Sequence, residues 1–236
     1  MLFVDDYEFD RSHPFFDQAL QIYAAAVLHR LVLTPGIPFL WIKDGHYRLE
    51  INDVAKFEAC VRNSELPESF AVRPTFWTDS DPEQSALDRA ANPPKLLVAG
   101  ELINTAAIFA LNHAYESHRE ALVQLFGSAL PGRWPQDLQL FRHVRNGCSH
   151  GNTFDIRLNR DRSEPIDPSA PPEWEHLRLA DRVSMTGKQV VGEFLAFSFV
   201  LPFLHDIGRR LRDLGVATSP HGPGQQAVAA DGRALS

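Results

Sequence analysis

A mainly helical bundle interrupted by a small α/β insertion is the fold class this 236-residue chain predicts. Three observations carry that expectation. Apolar residues recur at three- and four-residue steps in four long segments. The block between positions 36 and 95 switches to short strand-like runs separated by turn dipeptides. Finally, 44% hydrophobic content against 22% charged residues can fill one good-sized core.

The first helix is expected over Pro14–Val32, with Ser12 as N-cap, Pro14 in the first turn, and Leu20, Tyr23, Val27 and Leu31 on one apolar face. The cluster Thr34-Pro35-Gly36-Ile37-Pro38 ends it. Phe39–Lys43 and His46–Ile51 then flank Asp44-Gly45, a dipeptide suited to a tight hairpin because both positions tolerate positive φ. Asn52 or Asp53 caps a short helix to about Val61, Phe70–Trp77 forms a further strand, and Asp81-Pro82 opens a helical turn that stops at Asn92-Pro93-Pro94. Lys95–Phe126 is the longest helical pattern, closed by Gly127 and Pro131-Gly132. The next helix starts at Pro135 or Gln136, carries Leu138, Leu140, Phe141 and Val144, and ends at Gly151 as the residue after the cap. Thr153–Pro172 is polar and proline-rich, hence a loop, and a last helix spans about Thr186–Leu214 with a bend at Pro202. The expected division is a helical domain over 1–214, with the insertion at 36–95, and a disordered tail over 215–236.

Bulk properties exclude several classes. A net charge of −7 argues against a protein that coats nucleic acid indiscriminately, because neutralising phosphates takes clustered Lys and Arg. Cys60 and Cys148 are far apart and lack CxxC spacing, so no disulfide scaffold is expected, and a reducing cytoplasm suits the chain. The start of the chain carries Asp5, Asp6, Glu8 and Asp10 instead of a basic leader. Leu96–Leu111 is interrupted by Glu101 and Asn104, and Val190–Leu204 is short and holds Glu193 and Pro202, so both are expected as buried core helices rather than membrane spans.

Chemistry concentrates in Arg145-Asn146-Gly147-Cys148-Ser149-His150. A permanent guanidinium, an amide and an imidazole fall within six residues near a helix end. RNA carries its own nucleophile, the 2′-hydroxyl, so cleaving it takes a base, an acid and positive charge at phosphorus. His150 can move protons near neutral pH. Arg145 can clamp non-bridging oxygens and stabilise a phosphorane, and Asn146 can orient the phosphate or the imidazole. On a straight helix five residues turn through about 500°, which leaves Arg145 and His150 roughly 140° apart. Either the helix frays near Gly147 and Gly151, or a second copy of the chain completes the site.

This motif in a bundle resembles the HEPN superfamily, whose members are four- or five-helix bundles with an Arg-x(4–6)-His motif and commonly a polar residue after the Arg. Arg145, Asn146 and His150 match those three positions, and the helix arrangement matches over about residues 13–214; the block at 36–95 has no counterpart in a minimal bundle. The resemblance implies a metal-independent endoribonuclease without a cofactor, often a toxin with a cognate antitoxin or a defence effector, working as a homodimer around a shared cleft. It equally allows a non-catalytic binding or interaction module that keeps the motif as a relic.

Other residues rank lower. Arg142 and His143 precede the motif and are expected to help bind substrate. Five arginines from Gln136 to Arg162 face only Asp137, Asp155 and Asp161, which makes a local basic patch in an acidic chain. A solvated loop explains Arg157, Arg160 and Arg162 equally well. His113 and His118 are five apart, not four, so a helical zinc pair is not expected. Glu116, on the same helix, could orient His150 or Arg145. Cys148 is expected as a packing residue, and His205-Asp206 as a helix-surface pair.

Overall fold

The computed structural model describes residues 6–33, 40–44, 47–51, 67–76, 96–126, 134–156, 170–179 and 182–216. The expected short helices after Asn52 and Asp81 and the tail beyond 216 lie outside these residues. Among the described residues the protein is mainly helical, with four long helices, one single-turn helix and two antiparallel sheets. The long helices are α1 (Phe16–Leu33), α2 (Leu96–Phe126), α3 (Gln136–Ser149) and α5 (Phe197–Asp213), and Arg182–Met185 forms the short α4. Strands β1 (Tyr7–Asp10), β2 (Leu40–Asp44), β3 (Tyr47–Ile51) and β4 (Ser69–Phe76) make a four-stranded sheet in the order β1-β4-β3-β2. A two-stranded ribbon, β5 (Glu173–Trp174) with β6 (Leu177–Arg178), completes the architecture.

The hairpin expected around Asp44-Gly45 is present as β2 paired with β3, and the expected strand near Phe70 is β4. Less expected is β1. Tyr7 pairs with Val72 and Phe9 with Phe70, so the chain entering α1 belongs to the same sheet as the block at 36–95. That sheet is not an appendage, because Phe70 stacks on Phe9 at 5.2 Å and on Tyr23 of α1 at 4.5 Å. Pro74 sits inside β4 opposite Leu49, beyond the stretch of β4 that β1 covers.

The start of α1 departs from expectation. Ser12 does not cap the helix; its N–H and its hydroxyl both donate to Asp10 Oδ1, at 2.8 and 2.6 Å. His13 takes over the capping function. Its Nδ1 accepts the Phe15 N–H at 3.1 Å and its carbonyl accepts the Phe16 N–H at 3.0 Å, satisfying donors that a helix start leaves open. With Nδ1 as acceptor, Nε2 carries the proton and donates to the His205 carbonyl at 3.2 Å.

The last helix is shorter than expected. Thr186–Ala196 is a compact set of turns, and α5 begins only at Phe197, because Gly187 and Gly192 adopt φ of 91° and 112° and break the helical path. From there α5 runs through Pro202; its first half is core throughout, with Phe197 to Leu204 buried, and Ile207, Gly208 and Leu211 continue the buried face while Arg209, Arg210 and Arg212 are exposed. Among the described residues no helix is long and apolar enough to cross a membrane.

Candidate functional site

The site is built where α2 packs on α3. Helix α3 stays regular through Ser149, with His150 as its C-cap and Gly151 at φ 74° just beyond, the left-handed stop expected there. The helix does not fray at Gly147. Instead, the chain after the cap folds back across this glycine, and the Thr153 N–H bonds the Gly147 carbonyl at 3.0 Å. Asn152, at φ 62°, pins the turn segment opposite: its amide donates to the Val191 carbonyl at 2.9 Å and its Oδ1 accepts the Val191 N–H at 2.8 Å. A Cβ at position 147 would overlap Val190 Cγ2. Gly147→Ala is therefore expected to cost about 1–3 kcal/mol through overpacking, outweighing the helix-propensity gain. Urea unfolding checks this, and combining it with Val190→Ala should cost clearly less than the sum of the two single changes.

Arg145 points toward α2. Its Nη2 donates to Glu116 Oε1, its Nη1 donates to Asn146 Oδ1 at 2.8 Å, and its guanidinium carbon lies 5.4 Å from the centre of the buried Tyr115 ring. Glu116 also approaches Arg119 at 3.8 Å, so one carboxylate stands between two guanidinium groups. Each Nη atom carries a second N–H, which leaves the outward part of the fork able to meet a phosphate. The Tyr115 hydroxyl is held above its ordinary range, chiefly by burial, although the nearby Arg142 and Arg145 pull the other way and Arg142 hydrogen-bonds it. One turn along α2, Asn112 Oδ1 accepts the Ser149 hydroxyl at 2.7 Å, a second polar tie between the helices.

The remaining expected residues separate. His150 is exposed at the end of α3. Because α3 is regular, His150 and Arg145 leave it on different sides, still roughly 140° apart. His143 is partly buried, and desolvation, followed by repulsion from Arg142, pushes it down to about 4, so it is neutral at neutral pH. That makes it a poor phosphate ligand. Burial pushes the Cys148 thiol up to about 12, leaving it a packing residue without thiolate character. The α2 histidines go to separate partners, His113 Nδ1 to the Gln18 amide at 3.1 Å and His118 Nδ1 to the Ala114 carbonyl at 3.1 Å. Among the described residues no group of three or more metal-ligating side chains converges. Asp206 accepts the Trp174 indole N–H at 3.1 Å and lies 3.3 Å from His205 Nδ1, so the His205-Asp206 pair is tied into the packing under the ribbon rather than displayed on the helix surface. Arg157, Arg160 and Arg162 lie outside the described residues.

The chain matches no known protein family, no curated protein and no solved structure. Sequence reasoning missed Asn112, Tyr115 and Asn152; Asn112 and Tyr115 share a helix with Glu116, but no short motif joins them to Arg145.

Proposed function

We propose that this chain is a HEPN-type, metal-independent endoribonuclease that acts as a homodimer. The observation that carries the reading is Arg145, held by Glu116 and Asn146 on the α2–α3 surface, with the exposed His150 closing the same helix. In the proposed reaction His150 accepts the proton of the 2′-hydroxyl. The O2′–P bond forms as the P–O5′ bond breaks, and the departing 5′-oxygen takes a proton from a second imidazole or from water. Arg145 stabilises the charge on the equatorial oxygens. The products are a 2′,3′-cyclic phosphate and a 5′-hydroxyl. The divergence of Arg145 and His150 on a regular helix supports a composite site, in which each copy supplies one half to a shared cleft. Such an enzyme would suit a toxin or defence effector with a cognate antitoxin, acting in the cytoplasm.

The Glu116 pairing also favours a second reading. A guanidinium paired with a carboxylate of its own chain can serve to hold two helices together, as in a non-catalytic binding module. Incubating purified protein with a panel of RNAs in EDTA separates the two. Cleavage leaving cyclic-phosphate ends supports the enzyme, whereas intact RNA across the panel, with dimerisation or partner binding that survives His150→Ala, supports the module.

A further inference from the structure

Phe109 is the most exposed large apolar side chain among the described residues, at 62%, although it lies in the middle of α2. A lone exposed apolar residue is ordinary. This one is part of a fixed arrangement. Its ring stacks on His113, one turn along, with centroids 6.1 Å apart and planes at 29°. His113 is held from behind by Gln18 of α1, itself 6% exposed, whose amide donates to His113 Nδ1 at 3.1 Å. In the neutral ring that acceptor role puts the proton on Nε2, a donor at the outer end of the pair. Phe109, His113 and Glu116 share one face of α2, and seven residues place Phe109 about 10 Å from Glu116 along the axis. Asn112, bonded to Ser149, lies between them. The aromatic pair thus continues the surface that holds Arg145.

We propose that Phe109 and His113 form a stacking platform for an unpaired base of single-stranded RNA, next to the phosphate taken by Arg145. This rests on the RNA-cleaving reading above. Single-stranded RNA is recognised chiefly by bases laid on aromatic or histidine rings and by hydrogen bonds to their edges. A chain of net charge −7 gains little from backbone attraction alone, so base stacking has to supply much of its affinity. The His113 Nε2–H then offers a donor to a carbonyl or ring nitrogen at the base edge, which gives the platform a preference among bases.

The test measures binding of a short fluorescent single-stranded RNA to the full chain carrying His150→Ala, which keeps the RNA intact, alongside cleavage by the chain with His150 in place. Phe109→Ala is expected to weaken binding about tenfold and Phe109→Trp to retain it. RNA should quench the added indole emission, over the four native tryptophans, while inorganic phosphate should not. An abasic oligonucleotide should bind the unaltered and Phe109→Ala proteins alike. Unchanged affinity in Phe109→Ala, with cleavage intact, overturns the platform and leaves the ribonuclease reading standing. A fall in oligomeric mass in Phe109→Ala overturns it too, by making this face a protein interface. If the unaltered chain neither binds nor cleaves RNA, the ribonuclease reading falls first and takes the platform with it.

Discussion

Arg145→Ala and His150→Ala are each expected to lower EDTA-resistant RNA cleavage by at least about 100-fold, in line with the loss of one charge-stabilising donor or one general acid–base group. The two losses should differ in kind. Removing the guanidinium takes away stabilisation of the phosphorane, whereas removing the imidazole takes away the acceptor of the 2′-hydroxyl proton. Arg145→Lys should not restore the rate, because a single ammonium cannot keep Asn146 and Glu116 while also facing a phosphate. Unfolding is not the expected cause of either loss. Glu116 is 39% exposed and Arg145 26%, and a pair this accessible to water is worth about 1 kcal/mol or less. Unchanged urea midpoints beside a lost activity would place the effect in the chemistry. Full activity in both variants would sink the ribonuclease reading.

Segments governed by local rules were legible in the sequence. The hairpin of β2 with β3, the stop at Gly151 and the span of α2 each follow from turn chemistry or from one unbroken periodicity. What escaped depends on distant partners. Strand β1 has four residues and pairs with residues some sixty positions away, so its acidic surroundings mask a single buried Phe9. In the stretch before α5, Val190, Phe194 and Phe197 keep helical spacing, but Gly187 and Gly192 in left-handed conformations turn it into loops. The two glycines were the available signal. At the site, the sequence names Arg145, Asn146 and His150 as candidates and offers Glu116 as an acid for His150 or Arg145; the structure pairs it with Arg145. Gly147 by itself suggests fraying; its role in close packing depends on the returning chain and on Val190, which no local pattern announces.

The second large effect is on stability in acid, and it comes from His13. This imidazole is 4% exposed, lies parallel to His205 with centroids 5.3 Å apart, and touches Phe9 and Phe15 edge-on. A Cβ on Gly208 would overlap its ring, so α5 leaves no room beside it. Burial pushes it down to about 4; the bond to the His205 carbonyl opposes this, and repulsion from His205 and Arg212 adds to it. Protonation would also remove Nδ1 as acceptor for the Phe15 N–H and so uncap α1. Because the folded value lies below the unfolded one of 6.5, the unfolded chain binds more protons between the two. Stability is therefore full above about 6.5, falls as pH drops toward 4, and levels off below. His13 alone should account for about 3 kcal/mol of that fall, a large share of a typical domain's stability. His143, also pushed down to about 4, and the burial-lowered His118 act in the same direction. Asp10, held below its ordinary value chiefly by the Ser12 hydroxyl, loses its contribution only at still lower pH. Urea midpoints measured from pH 7 to pH 4 should drop steeply, and His13→Gln should lower the midpoint at pH 7 while making the profile visibly shallower. A slope identical in both chains would show that His13 is not the group being titrated.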